Sequence, residues 1–301
     1  MRTKAYKRLI EEGMAAGEIP EDIGRTILSR IESCGKMTPE IYDEFTAALA
    51  GRGLYNVYTT PLNRNPPPVT GDFPYESRNV FYLAIKGVVL FIYNVFGRVL
   101  GRVAYGLKIR GRKNLRSIKG AVVTVSNHFS YLDILVTRCC LGWRPFKFVV
   151  APHNAGGKSA VGRSIFLGAG AVPVATTISG ARKFNEYLDK CVSKGKAVHF
   201  YAERAMWLNY PYPRPFLSGA FTLAARNNVP VVPMFYAYRK KGFWRRLLSM
   251  HAPMTAYILP AVYPDPALTG KARADKLCRD AEAAVRAAYE AHAAGRRADR
   301  P

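Results

Sequence analysis

The sequence predicts an α/β fold, a mixed sheet flanked by helices, which follows an N-terminal helical, membrane-associating segment. Two observations carry this prediction. From Leu107 onward, short continuous runs of apolar residues alternate with stretches of helical spacing, a pattern typical of strands buried on both faces. The chain then ends with an Ala-, Arg- and Glu-rich stretch over Lys271–Ala294, which predicts a terminal helix.

The individual elements follow from the positions of these runs. Strands are predicted at Ala121–Val125, Phe146–Val150, Ala171–Val174, Ala197–Tyr201 and Val231–Tyr236. Helices are predicted between them at Tyr131–Leu141, Ser179–Ser193 and Gly219–Asn227.

Three segments divide the chain. Residues 1–78 are expected to be a helical appendage of two or three short helices with a Pro-rich linker, the latter marked by Pro66-Pro67-Pro68. Residues 79–108 are expected to form an amphipathic helix at a membrane interface. Residues 109–301 are expected to hold the α/β domain and its C-terminal helix.

The charge of the chain requires an anionic partner. Its 301 residues include 45 Lys and Arg against 21 Asp and Glu, a formal net charge of +24. Nucleic acid, an anionic membrane and phosphorylated substrates all fit this excess. The 5 cysteines are a poor disulfide framework and indicate a reducing compartment.

The segment 79–108 favours the membrane among these partners. On a helical wheel Lys86, Asn94, Arg98 and Arg102 share less than half of the circumference, and aliphatic and aromatic residues take most of the rest. This arrangement is typical of a helix that lies in the membrane interface. Two alternatives stay open: a helix packed on the protein's own core, and a spanning helix with Lys86 at the lipid headgroups.

A histidine and a carboxylate follow the first predicted strand of the α/β domain. His128 comes at the strand end, where ligands gather in α/β sheets, and Asp133 opens the next helix. A carboxylate that orients an imidazole makes it a general base for an alcohol. The spacing also fits a capping box in which Ser130 and Asp133 only cap the helix. Spacing alone does not decide between them.

The motif Asn127-His128-x-Ser130-x-x-Asp133 resembles the signature of the glycerolipid acyltransferase family, to which lysophosphatidate acyltransferases belong. Three further blocks resemble that family in the same order: Gly168–Val174, Tyr201–Glu203 with Pro215–Phe221, and Val229–Pro233. The resemblance covers about Leu107 to Pro260.

The resemblance implies a reaction. His128 would deprotonate a glycerol hydroxyl, Asp133 would orient His128, and the acyl group of acyl-CoA or acyl-carrier protein would pass directly to lysophosphatidate to give phosphatidate. No metal and no cofactor beyond the thioester co-substrate is expected. The substrate-binding residues expected from the matching blocks are Asn127, Ser130, Glu203, Arg204, Arg214 and Gly219.

The third block departs from the family pattern at the acceptor site. Where the family has Glu-Gly-Thr-Arg, this chain has Glu203-Arg204-Ala205-Met206, so Met206 stands where a phosphate-binding Arg is expected. Arg204 or Arg214 is the candidate replacement, and an ordinary surface role for Arg204 stays open. The same acyl transfer to another lysolipid, an aminolipid or a hydroxylated lipid is therefore the alternative function.

Two further segments of the chain are rich in aromatic residues. The cluster of Trp207, Tyr210, Tyr212 and Phe216 predicts either a substrate channel or simple packing. Arg239–Arg246 interleaves cations with Phe243 and Trp244, which indicates an interfacial anchor or a solvated loop. We expect the protein to lie on the cytoplasmic face of a membrane. No nucleic-acid partner is expected, because no nucleic-acid motif is visible. A non-catalytic basic module that binds membrane or nucleic acid is the distant alternative function.

Overall fold

The computed structural model describes residues 2–61, 66–76, 80–131, 133–155, 167–248 and 252–298. Three N-terminal helices come first: α1 (Thr3–Ala15), α2 (Glu21–Cys34) and α3 (Pro39–Gly51). Thr38 caps α3 by accepting a hydrogen bond from the backbone of Ile41, and Pro39 occupies the first turn, where its missing N–H costs nothing. Within 52–61 and 66–76 the linker forms neither helix nor strand.

The α/β domain contains one sheet. In the described part of the chain it has 7 strands in the order β1-β7-β6-β2-β5-β3-β4. The strands are β1 (Lys108–Arg110), β2 (Val122–Ser126), β3 (Phe146–Val150), β4 (Ala171–Pro173), β5 (Ala197–Tyr201), β6 (Val231–Tyr238) and β7 (Met254–Ile258). Strands β6 and β7 are antiparallel, whereas the other paired neighbours are parallel. The predicted mixed α/β sheet is confirmed, although β1 and β7 were not predicted.

Helices cover both faces of the sheet. They are α4 (Val80–Tyr105), α5 (Arg112–Arg116), α6 (Asp133–Leu141), α7 (Pro152–Ala155), α8 (Ile178–Ser193), α9 (Gly219–Asn227), α10 (Phe243–Leu247) and α11 (Gly270–Ala298). Alternate residues of β2 enter different cores. Val123 and Val125 pack with α8, α9 and α11, whereas Val122 packs with α6 on the opposite face.

Helix α4 packs on α6 through a face of small residues. Gly97 and Gly101 are buried, and a Cβ at Gly101 would lie 3.1 Å from the sulfur of Cys139. Because these glycines face α6, large apolar side chains remain on the outside of α4. They are Val88, Phe91, Ile92, Val95, Phe96, Val99, Leu100 and Val103. We call this set the α4 apolar face.

The α4 apolar face bears on the alternatives for residues 79–108. Phe96 and Val103 are each 63% exposed, so the side chains of the α4 apolar face are not covered by the protein's own core. None of the helices in the described ranges combines the length and hydropathy that a bilayer span requires. The side chains of Lys86, Asn94 and Arg98, which define the predicted cationic side, lie outside the described residues.

Candidate active site

The sheet brings the two halves of the site together. In the parallel pair β2–β5, Ser126 lies opposite Tyr201, so the chains leaving these strands emerge side by side. One carries His128 and the other carries Glu203. Parallel strands place their carboxyl ends at a common edge, which explains why residues 75 positions apart share one site.

His128 and Asp133 form the predicted pair. His128 Nδ1 lies 2.9 Å from Asp133 Oδ2, and Asp133 is 1% exposed. The same oxygen accepts the backbone N–H groups of Phe129 at 2.8 Å and Ser130 at 3.0 Å. Asp133 therefore has both of the predicted roles: it accepts backbone N–H groups of the loop, as a helix cap does, and it orients the imidazole of His128. Since Nδ1 is engaged, Nε2 is the nitrogen left to accept a substrate proton.

Tyr201 stacks on the imidazole of His128. The ring centroids are 4.1 Å apart and the planes differ by 18°. The Tyr201 hydroxyl lies 3.3 Å from Thr137 Oγ1, and Thr137 Oγ1 in turn donates to the carbonyl of Asp133 at 3.0 Å. Sequence reasoning missed Tyr201 as a site residue because only the pairing of β2 with β5 places it there.

A buried histidine lies beneath this stack. His199 packs edge-on against Tyr201 and bonds Thr124 Oγ1 at 2.9 Å through Nδ1. Burial, followed by repulsion from His128, lowers the pKa of His199 to about 3, so the ring is neutral in the native protein. No role was predicted for this residue, and its apolar strand gives no sign of one.

Glu203 and Arg214 form a second, fully buried layer. Arg214 Nη2 lies 2.7 Å from Glu203 Oε2, and that oxygen also accepts the backbone N–H of His128 at 3.0 Å. The Arg214 guanidinium further donates to the carbonyls of His128, Ala205 and Tyr55. This ion pair therefore fixes the backbone of the His128 loop through both the N–H and the carbonyl of His128.

Asn127 also acts behind the site. Its Nδ2 donates to the carbonyl of Tyr236 at 2.9 Å, and its Oδ1 accepts the N–H of Tyr236 at 2.8 Å. Asn127, Glu203 and Arg214 are each at most 4% exposed and lie outside the cavity wall. In place of the substrate contact predicted for these three, the structure gives them a positioning role, because their polar atoms are already bound within the protein.

The remaining predicted residues line a cavity of about 1030 Å³. His128, Ser130, Arg204 and Gly219 all belong to its wall. Much of the lining is apolar and comes from the strand ends, from helices α6, α8 and α9, and from the loop before α9: Ile134, Val149, Val150, Val174, Leu188, Leu217 and Leu223. A cavity of this size and lining suits a long apolar ligand with a few polar anchors.

Arg204 has an unusual backbone. Its φ is +63°, a left-handed conformation that costs a residue with a side chain about 1–2 kcal/mol. The exposed guanidinium lies 5.8 Å from the centre of the Tyr58 ring. Met206, by contrast, is buried. The chain thus has a cation at the position where the resembling pattern has Gly.

The aromatic cluster splits between packing and surface. Trp207 is fully buried with the N-terminal helices, and Phe216 lies in the core beneath the sheet. Tyr212 is 53% exposed, and it does not line the cavity, nor do the other three. These aromatic residues therefore do not form a substrate channel, and the buried ones serve in packing.

Comparison with known proteins agrees with the site. Residues 106–237 match the family model for acyltransferases. Over 139 residues the chain is 34% identical to the chloroplastic 1-acyl-sn-glycerol-3-phosphate acyltransferase BAT2 of Brassica napus, covering 43% of this chain and 37% of that protein. The chain thus spans little more than a third of the length of this relative.

Among solved structures, the chain is similar to the 1-acyl-sn-glycerophosphate acyltransferase PlsC from Thermotoga maritima. The TM-score is 0.49 at 16% identity, over 72% of this chain and 97% of that one. The family match and the sequence relative agree on the class that this part of the chain resembles: residues 106–237 are similar to acyltransferase domains.

Proposed function

We propose that the protein transfers an acyl group from acyl-CoA or acyl-carrier protein to lysophosphatidate, giving phosphatidate, with His128 as general base. The observation that carries this proposal is the His128–Asp133 pair, 2.9 Å apart, at the wall of a large apolar cavity. The relative from Brassica napus, by its name, acts on the same acceptor.

The reaction follows from the geometry of that pair. His128 Nε2 takes the proton of the acceptor hydroxyl while Nδ1–H donates to Asp133, which stabilises the imidazolium. The hydroxyl oxygen attacks the thioester carbonyl, forming a C–O bond and then breaking the C–S bond. The proton passes from His128 to the departing thiolate. The step needs no acyl-enzyme, metal or further cofactor.

The cavity supports the choice of substrates. Its apolar wall suits an acyl chain, and Arg204 offers the positive charge that a phosphomonoester acceptor requires. Arg204 takes over a role that Met206 cannot fill. Because its position differs from that of the family Arg, a lysolipid with another headgroup, an aminolipid or a hydroxylated lipid is the second candidate acceptor.

The surface supports association with an anionic membrane. The α4 apolar face is continued by α10 and the residue after it, where Phe243, Trp244, Leu247 and Leu248 are exposed. Arg245 links the two helices by donating to the carbonyl of Val103 at 2.9 Å. We infer that this combined apolar surface enters the headgroup region on the cytoplasmic face of a membrane.

Positive charge lies beside this surface. The pKa of Arg239 is lowered, mainly by burial of its guanidinium. Repulsion from the nearby cations Arg245 and Arg110 lowers this pKa further. Such a concentration of cations is favourable next to anionic lipid headgroups.

The test is an assay in mixed micelles with oleoyl-CoA and radiolabelled lysophosphatidate, run beside lysophosphatidylcholine and lysophosphatidylethanolamine. We expect phosphatidate as the preferred product and a loss of at least about 100-fold for His128→Ala. His292→Gln, on the distant helix α11, is the matched histidine control. Wild-type turnover by His128→Ala would refute the mechanism, and preference for another lysolipid would favour the second candidate.

A further inference from the structure

One wall of the cavity comes from outside the acyltransferase domain. Tyr58, Thr60 and Pro61 belong to the N-terminal segment, yet they line the same cavity as His128. The Tyr58 ring lies between two site residues: Arg204 on one side, 5.8 Å from its centroid, and His153 on another, with ring centroids 5.2 Å apart at 87°. Both partners also line the cavity.

We propose that Tyr58, His153 and Arg204 form a subsite for a phosphate ester, so that the N-terminal segment helps to choose the substrate. The inference rests on the proposed acyl transfer and deepens it by naming the residues that hold the headgroup. Arg204 supplies the charge, and the Tyr58 face holds the guanidinium by a cation–π contact. The Tyr58 hydroxyl and the His153 ring supply hydrogen-bonding groups beside it.

The N-terminal segment is fixed to the catalytic loops by hydrogen bonds, not only by apolar packing. Trp207 Nε1 donates to the carbonyl of Val57 at 2.8 Å, and Thr59 Oγ1 donates to the carbonyl of Met206 at 3.3 Å. Both anchors flank Tyr58. Trp207 also donates its backbone N–H to the carbonyl of His128 at 3.2 Å. The position of Tyr58 is therefore tied to the same short loop that supports His128.

The N-terminal helices strengthen this anchoring. The Tyr42 hydroxyl of α3 lies 2.6 Å from Thr59 Oγ1 and accepts the backbone N–H of Leu208 at 2.7 Å. Trp207 and Ala205 are part of the hydrophobic core of α1–α3. The helical bundle thus fixes both the segment that carries Tyr58 and the loop that follows Arg204.

The acceptor headgroup is the preferred source of the phosphate. Arg204 follows directly on Glu203, whose carboxylate holds the backbone of His128, so a ligand on Arg204 is near the general base. The thioester donor also carries phosphate groups, and the same chemistry would bind them. Separate measurement of the two Michaelis constants distinguishes these sources.

The experiment uses the full chain and the variants Tyr58→Ala and Tyr58→Phe, with lysophosphatidate and oleoyl-CoA varied in turn. For Tyr58→Ala we expect the KM for lysophosphatidate to rise about 3- to 10-fold at nearly unchanged kcat, the range that a cation–π contact accounts for. Tyr58→Phe keeps the platform and should lose less. A rise confined to the KM of oleoyl-CoA would support the subsite but assign it to the donor. Unchanged constants for Tyr58→Ala would overturn the proposal.

A double-mutant cycle separates a shared site from general damage. Because the Tyr58 ring holds the Arg204 guanidinium, Tyr58→Ala should raise the KM for lysophosphatidate by a smaller factor in the Arg204→Ala background than in the wild type, and fully additive effects would contradict the shared site. The exposed Tyr263→Ala is the control for loss of a tyrosine. Thermal unfolding shows whether each variant is folded.

Direct binding distinguishes this proposal from the proposed function. Calorimetric titration of lysophosphatidate into His128→Ala, with and without Tyr58→Ala, measures the subsite without turnover. Binding that depends on Tyr58, together with no turnover of lysophosphatidate by the wild type, would keep the subsite and reject the acyl transfer. Turnover of lysophosphatidate by the wild type, with binding that does not depend on Tyr58, would support the acyl transfer and reject the subsite.

Discussion

The imidazole of His128 lies flat against the ring of Tyr201, with the ring centroids 4.1 Å apart. This contact adds an aromatic face to the imidazole that we propose as the general base, beside its hydrogen bond to the Asp133 carboxylate. In the proposed reaction the imidazolium gains from both partners, from Asp133 through a charged hydrogen bond and from Tyr201 through a cation–π contact.

Replacement of Tyr201 tests this contact. We expect Tyr201→Leu to lower kcat/KM by about 3- to 10-fold, because a cation over an aromatic face is worth about 0.5–1.5 kcal/mol. Tyr201→Phe retains the ring and should resemble the wild type. Wild-type kcat/KM for Tyr201→Leu would assign the ring a packing role only.

The buried pair of Glu203 and Arg214 predicts a large effect on stability. Arg214→Met leaves the Glu203 carboxylate buried without its cation, which should lower the free energy of unfolding by about 3–5 kcal/mol. Urea denaturation measures this change. Arg182→Met is the control, because its pair with Glu186 is exposed and should contribute little. Similar losses in the two variants would argue against the positioning role of Arg214.

Arg204 predicts a trade between stability and substrate affinity. Arg204→Gly removes left-handed strain and should raise the free energy of unfolding by up to about 1 kcal/mol, while the KM for lysophosphatidate increases. Arg204→Ala should lose the same affinity without the gain in stability, since alanine keeps the strain. If the KM for lysophosphatidate is unchanged in both variants, Arg204 has an ordinary surface role and does not bind the acceptor.

His199 predicts a pH-dependent stability. Its native pKa of about 3 lies below the unfolded value, so between pH 6.5 and 3 the unfolded chain binds a proton that the native protein does not. The free energy of unfolding should therefore fall as the pH falls, by up to about 1.4 kcal/mol per pH unit from this group. Denaturation at several pH values measures the slope. His199→Gln, which does not titrate, should flatten it; an equal slope in both proteins contradicts this prediction.

The apolar surface of α4 and α10 predicts membrane binding. Phe243→Ser/Trp244→Ser should weaken binding to vesicles of phosphatidylcholine and phosphatidylglycerol by at least about tenfold, since burial of each large side chain contributes about 1.5–3 kcal/mol. Vesicle flotation measures the bound fraction, and Tyr263→Ser controls for loss of an exposed aromatic ring. Equal binding by the double variant and the control would place the contact elsewhere.

Local patterns alone determined most of the central sheet. The strands Phe146–Val150 and Ala197–Tyr201 and the helix Gly219–Asn227 have the predicted bounds. They are continuous apolar runs buried on both faces, or amphipathic helices, so their periodicity is visible in one short window. Strand β1 escaped prediction because it has only 3 residues, two of them charged, and the parallel pairing of β1 with β7 becomes visible only in the folded sheet.

The site divides in the same way. The sequence identified the candidate base and its carboxylate, His128 and Asp133, through the motif that resembles the family signature, because their spacing by itself also fits a helix cap. The tertiary structure alone decided what surrounds them: Tyr201 through the β2–β5 register, Arg214 through a buried ion pair, and Tyr58 through the docking of the N-terminal helices. These contacts join residues far apart in the chain. Packing, which no local pattern records, therefore decides how the base is held and which groups face the substrate.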